Sequence, residues 1–198
     1  MIHRGQPWGE PSCMTRDVLI VDNDQTMAHT DRTHEIFLSG GDIARSLGNP
    51  SVPTLGSACT EVAIDAMVCD ITTSDEQSIT IVAASSIIIG SYWKGQHVIV
   101  SNAGWIGERN VAPRSHPNDG KVEMLTMNSH MSLRQRFLAY RKMKTGTHLP
   151  HPQLSATQIS TACIERQNGQ KLVIDGEKFI DWTSISITVQ PDYWRVMV

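Results

Sequence analysis

The sequence predicts a mainly β, α+β fold: a two-layer antiparallel β-sandwich with one substantial helix and a short amino-terminal helix. Three observations lead there. β-branched runs with period-2 alternation recur through the chain, and only Met131 to Lys144 has a long helical periodicity. The carboxyl-terminal strands also follow one another at the spacing of an antiparallel sandwich or barrel rather than alternating with helices.

In chain order, residues 1–16 carry Pro7, Gly9 and Pro11 and read as an irregular arm, whose Trp8 needs a surface on the sandwich or on a twin subunit. Residues 17–198 read as one domain. Asp17 to Asp22 (DVLIVD) is a strand, followed by a polar stretch to Glu35. Ser39 to Gly48 (SGGDIARSLG) has an acidic helix start, Ile43 and Leu47 four apart and a terminating glycine, the marks of a short helix. The alternation Val62, Ile64, Ala66, Val68, then Thr80 to Ile89 and His97 to Val100, predicts three strands. A Gly/Asn/Pro-rich loop covers 102–120 and Val122 to Met127 is a strand. Leu133, Phe137, Tyr140 and Met143 then mark one face of a cationic helix, a stripe of the size needed to dock on a sheet. Strands at Gln158 to Glu165, Lys171 to Ile174, Ser184 to Val189 and Tyr193 to Val198 close the chain.

Composition removes whole classes of function. The 198 residues carry 17 Lys+Arg against 20 Asp+Glu, a formal charge of -3, so no overall basic field points to nucleic acid or anionic lipid. The apolar run Ile79 to Gly90 spans 12 residues where a bilayer needs about 20, and reads as a buried strand. No secretory signal or anchor is recognisable at either end, and the cysteines at 13, 59, 69 and 163 form neither C-x-x-C nor a short zinc-ligand spacing. A cytoplasmic protein without a transmembrane segment is the expectation.

Asp22 and Asp24 with Asp70 have the look of a phospho-acceptor pocket, but the βα alternation such a domain needs does not follow, and acids flanking strand ends are the better reading. His148 and His151 lack a third ligand and read as loop hydrogen-bonders rather than a metal pair. More specific is the ordered series Ser101 to Val122 (SNAGWIGERNVAPRSHPNDGKV), Lys144 to Pro152 (KTGTHLPHP) and Val173 to Glu177 (VIDGE). In order and spacing it resembles the carboxyl-terminal domain of bacterial diacylglycerol kinases and sphingosine kinase-like lipid kinases. There an N-G-x-x-x-G-G-type loop leads to a Pro, a D-G turn, a helix ending near G-x-H-x-x-H-P and a D-G-E hairpin. The resemblance covers residues 97–198, and Ser39 to Pro50 resembles that family's G-T-G-N-D-x-A-R-x-L-G-I-P at the junction of its two domains.

The resemblance implies a fold and a set of site residues. Residues 17–198 would be a lipid-kinase carboxyl-terminal-like β domain with Asn102, Gly104, Gly107 and Asn110 in the loop beside its cleft. Glu177 would be the general base, with Asp175 beside it on the D-G-E hairpin. Gly40, Gly41, Asp42 and Arg45 would form an anion site at a helix start. Asp119, with main-chain carbonyls near His116 and Lys121, would hold a structural Mg²⁺, although Lys121 stands where the family has an apolar residue. Against these roles, Asp175-Gly176 and Asn118-Asp119-Gly120 also read as plain hairpin turns.

The family's nucleotide domain and its G-G-D-G-T motif are missing from the sequence, and 38 residues precede Ser39. The expectation is a degenerate, non-catalytic lipid-kinase-like protein. It would bind a lipid, a phosphorylated small molecule or a protein partner, including a second copy of itself. The alternatives are a lobe active with a nucleotide domain supplied in trans and a purely structural partner-binding module.

Overall fold

The computed structural model describes residues 8–167 and 169–198. In chain order the elements are β1 (Glu10–Cys13), β2 (Leu19–Val21), α1 (Asp24–Ala28), β3 (Glu35–Leu38), α2 (Gly41–Ser46), β4 (Ala58–Thr72), β5 (Ser78–Ala83), β6 (Ser86–Ser91) and β7 (Lys94–Ser101). They continue with β8 (Trp105–Ile106), β9 (Arg109–Asn110), β10 (Val122–Met127), α3 (Leu133–Lys142), β11 (Leu154–Ile159), β12 (Thr161–Glu165), β13 (Leu172–Ile174), β14 (Glu177–Phe179) and β15 (Ser184–Met197).

Two sheets face each other. One is built on the long antiparallel pair β4 and β15, flanked by β1 and β5 on one side and by β12, β3 and β2 on the other. The second runs β11-β10-β7-β6-β13-β14 and is antiparallel throughout. Period-2 alternation sorts the residues of β7 and β10 between two layers. Val98, Val100 and Val122 enter the core between the sheets, while Ile99, Leu125 and Met127 point the other way and are covered by Ala139 of α3 and by Met131 and Met143 at its two ends.

The sandwich and the short helix stand as expected, and several boundaries move. Thr80 to Ile89 is not one strand: β5 belongs to the first sheet and β6 to the second, and the chain crosses at Ala84-Ser85. Gln158 to Glu165 divides in the same way at Ser160. Conversely, the two strands read at the carboxyl terminus are one, β15, bent by a bulge between Gln190 and Trp194. Asp65, fully buried on β4, accepts from the Asp192 N–H at 2.9 Å and from the Gly120 N–H at 2.7 Å, which holds the bulge against the loop entering β10. Asn118-Asp119-Gly120 belongs to that loop and not to a hairpin.

The amino-terminal part holds more structure than expected. Residues 10–13 of the supposed irregular arm are β1, paired with β4, while residues 1–7 of that reading lie outside the described residues. Trp8 packs on the chain's own second core, edge-on to His116 with ring centroids 4.5 Å apart. The polar stretch to Glu35 contains α1. Together β2, α1, β3 and α2 form a βαβα unit whose β3 pairs in parallel with both β2 and β15. Met27, Ile36, Leu38 and Ile43 pack it against Val62, Ile64 and Trp194 of the long strands.

Helix α3 is rolled away from its expected orientation. Its Ser132-Gln135 capping box forms, but the residues it buries are Arg136 and Ala139, while Leu133 and Phe137 of the predicted stripe face outward. The Arg136 guanidinium donates to the carbonyls of Tyr92 (2.6 Å), Gly95 (2.5 Å), Asn128 (3.0 Å) and Met131 (2.9 Å). In return the Tyr92 hydroxyl donates to the Arg136 carbonyl at 2.8 Å. These bonds tie the helix to the turn joining β6 and β7. One buried guanidinium that satisfies four carbonyls decides the roll more strongly than a few methylenes.

Candidate functional site

Because β2 and β3 are parallel, both lead into a helix at the same edge of the sheet, and α1 and α2 begin side by side. Asn23 caps α1 by accepting from the Thr26 N–H at 2.7 Å. Helix α2 is capped from outside itself. The Asp24 carboxylate accepts from the Asp42 N–H at 2.6 Å and the Ile43 N–H at 3.1 Å. Gly41 permits this approach, since its φ is +98° and a Cβ there would come within 2.6 Å of the Asp24 carboxylate. The loop after β7 closes over α2. The Gly107 N–H donates to Asp42 at 2.7 Å, its carbonyl accepts from Arg45 at 2.8 Å, and the Gly104 N–H donates to Ser46 Oγ at 3.1 Å. Arg45 lies over the Trp105 ring, 4.1 Å from its centroid.

The second sheet supplies the facing wall. Asp175 and Gly176 make the turn between β13 and β14 with φ of 44° and 88°, the type I′ geometry that Asp-Gly adopts readily. The Asp175 carboxylate turns inward and accepts from the N–H groups of Ala84 (2.6 Å), Ser85 (3.0 Å) and Ser86 (2.7 Å), pinning the place where the chain crosses between sheets. Asn102, fully buried, holds the same crossing by donating to the carbonyls of Ala84 (3.0 Å) and Asp65 (2.8 Å).

Between these walls lies a cleft of about 320 Å³. Asn23, Asp24, Asp42 and Asp175 give it a polar, acidic side, and Ile88, Ile106 and Val173 give it an apolar one. Burial first, and then the neighbouring Asp24 charge, pushes the Asp42 carboxyl up to about 6. Burial likewise pushes Asp175 up to about 6, against the lowering effect of its three amide bonds. Asp24 is raised by burial too. Such a surface accepts hydrogen bonds from hydroxyl or ammonium groups and repels phosphate.

The residues singled out in the sequence meet in part. Gly104, Gly107, Asp42 and Arg45 form one network with α2, and Asn102 and Asp175 meet at the strand crossing. Gly40, Gly41, Asp42 and Arg45, expected as an anion site, lie together at the start of α2. The start of α2 has its amides filled by Asp24, and Arg45 is held by Gly107 and Trp105. Glu177 is exposed, beside a second cavity of about 220 Å³ that it lines with His29, Thr80 and Asp175. Asn110 pairs with Trp105 in the β8-β9 hairpin.

The Asp119 loop, expected to hold Mg²⁺, is tied by local hydrogen bonds. Asp119 accepts from the Lys121 N–H at 3.1 Å and from Gln158 at 3.4 Å, and the His116 Nδ1 accepts from the Asn118 N–H at 3.2 Å. Asp119 is the carboxylate this loop would offer a hard divalent ion, with main-chain carbonyls and water as the remaining donors. Among the described residues no three His, Cys, Asp or Glu side chains gather as a metal-holding group. His148 and His151 are loop hydrogen-bonders, to the Val111 carbonyl and from the Gln153 N–H. Asp70 lies on β4, where it accepts from Thr80 at 2.6 Å.

Asp24 is central to the cleft, and sequence reasoning gave it no place there. A signal existed: Asp24 and Thr26 have the spacing of the Asp and Thr in G-G-D-G-T, with Asn23 and Gln25 where that motif has glycines. Asp65 and the Ala84-Ser86 amides carried no such signal.

A β-sandwich bearing a small βαβα unit thus brings acids from both parts to one cleft. The chain belongs to the YegS C-terminal NAD kinase beta sandwich-like domain family, whose model matches residues 65–198. Among solved structures it is similar to a diacylglycerol kinase from Bacillus anthracis str. Sterne, at 12% identity and a TM-score of 0.54, covering 91% of this chain and 75% of that one. It is also similar to yeast NADH kinase complexed with NADH, at 11% identity and a TM-score of 0.52, covering 91% of this chain and 60% of that one. At such identities the likeness is one of fold. No curated protein sequence matches the chain.

Proposed function

We propose that this chain is a non-catalytic lipid-kinase-like protein whose acidic cleft binds a hydroxyl-bearing lipid or lipid-like small molecule without phosphorylating it. The observation that carries this reading is the Asp24 carboxylate seated on the Asp42 and Ile43 amides. A helix start that would cradle a phosphate is filled by the protein's own anion. The carboxylates around it accept backbone N–H groups, which suits clamps better than free bases. The cleft offers acceptors for hydroxyl donors on one side and Ile88, Ile106 and Val173 for hydrocarbon on the other, a pairing that suits a headgroup and the first methylenes of a chain.

The test is calorimetry of the purified chain with Mg-ATP and, separately, with dioctanoylglycerol. The expected result is saturable binding of the glycerolipid and none of Mg-ATP at millimolar concentration. Saturable Mg-ATP binding would overturn the proposal. A second reading, a lobe active with a nucleotide domain supplied in trans, draws on Asp42 and Asp175, whose carboxyls lie near 6 where a general base works well. It requires phosphotransfer in cell extract that Asp175→Asn abolishes.

A further inference from the structure

Helix α3 presents an exposed apolar face that the sandwich does not use. Leu133 is 65% exposed, Phe137 51% and Leu138 48%, and Trp93 at the neighbouring β6-β7 turn is 45% exposed. The 133, 137 and 141 positions form one row along the helix, and 134 and 138 the next. Cations are therefore interleaved with the apolar groups: Arg134, Arg141 and Lys142 are exposed on the helix, with Lys144 just beyond it and Lys94 beside Trp93. No Asp or Glu occurs between Glu123 and Glu165, although the chain as a whole carries -3.

The platform is rigid. The buried Arg136 locks the helix to the turn at residues 92–95 through the Tyr92 and Gly95 carbonyls, and to the segment entering the helix through those of Asn128 and Met131. Trp93 lies 5.4 Å from the Tyr140 ring, centroid to centroid, which joins the turn to the helix. The apolar side chains are thus held outward by the fold.

We propose that this face, α3 with Trp93, docks the protein on an anionic bilayer, with Leu133, Phe137 and Trp93 entering the interface and Arg134, Arg141 and Lys142 meeting the headgroups. Charge complementarity selects this occupant. A second copy would bring two acid-free cationic helices together, whereas an anionic surface takes both the cations and the apolar rows at once. The inference stands on residues outside the acidic cleft and does not depend on what the cleft holds.

The experiment is co-sedimentation of the full chain with vesicles of phosphatidylcholine alone and of phosphatidylcholine mixed with phosphatidylglycerol, at low and high salt, with light scattering of the free protein. Binding is expected to the anionic vesicles only and to fall as salt rises. It should weaken at least about 25-fold in Arg134→Glu/Lys142→Glu, since each basic residue near the surface contributes roughly fivefold. Leu133→Ser/Phe137→Ser should also lose binding while keeping the parent's melting temperature, because both side chains are exposed. Absence of binding to the anionic vesicles, equal binding by parent and variants, or a parent dimer that Leu133→Ser/Phe137→Ser dissolves would each overturn the proposal.

Discussion

Replacing Asp175 by Ala should destabilise the protein, and more so as the pH falls. Ala84, Ser85 and Ser86, whose N–H groups donate to Asp175, are 0%, 1% and 6% exposed as residues, and alanine offers those donors no acceptor. Three unsatisfied buried donors at roughly 1–3 kcal/mol each, offset by removal of a buried charge, leave a penalty of about 3 kcal/mol at pH 7.5. The carboxyl rises from its ordinary 3.8 to about 6 on folding, so the native state holds a proton that the unfolded chain releases. Stability from this group is fully present below pH 3.8 and is lost as pH rises through about 6. The alanine variant lacks that contribution, so its deficit against the parent should be about 2.5 kcal/mol larger at pH 4 than at pH 7.5. Urea unfolding of both proteins at pH 4, 5.5 and 7.5, followed by tryptophan fluorescence, measures the difference. His97, held down to about 4 by burial, titrates in both proteins and cancels. A deficit that is constant with pH, or that shrinks in acid, would refute the reasoning and show an ordinary surface-like carboxylate.

Arg136→Met should lower stability by about 2 kcal/mol, because the buried Met131 carbonyl and the part-buried bonds to the Tyr92, Gly95 and Asn128 carbonyls lose their donor while a buried charge is removed; a thermal melt showing a loss under about 0.5 kcal/mol would mean that water replaces the guanidinium. Glu177→Gln, at an exposed position, should change stability by less than about 0.5 kcal/mol; a loss above about 1.5 kcal/mol in urea would place Glu177 in a contact the structure does not contain.

The strands were legible wherever one face is buried, because β-branched alternation reports that burial directly. Val98 to Val100 and Val122 to Met127 sort between two layers residue by residue. What alternation does not report is which sheet a strand belongs to. The run Thr80 to Ile89 stays β-forming while its hydrogen-bonding partners change at Ala84-Ser85, and the residue that fixes this change, Asp175, lies some 90 positions away in sequence. The βαβα unit escaped for a different reason. Its α2 was legible, but α1 has five residues, too short for a 3.6-residue period to show, and lies in a polar stretch whose start is capped by Asn23. The D-G-E hairpin and the G-G-D helix were found because turn and cap chemistry is local. That Asp24 joins them depends on β2 and β3 lying side by side, so its local signal, the spacing to Thr26, does not show which helix start it fills.

Helix α3 separates two quantities that a sequence pattern runs together. Apolar spacing at 133, 137, 140 and 143 shows that a helix forms, and it does. It does not fix the roll of that helix about its axis, since roll depends on what each inward side chain can satisfy. Arg136 turned inward completes the bonding of four carbonyls and of the turn that carries Tyr92, whereas Leu133 turned inward would leave them to be solvated. The roll that satisfies the backbone exposes the apolar rows, and it exposes them beside cations that the whole-chain charge of -3 conceals. Charge steers through its local arrangement, so a chain with a net acidic balance can still carry a cationic face. An unsatisfied backbone resolved by a buried arginine is thus the physical origin of the apolar and cationic face that α3 leaves exposed.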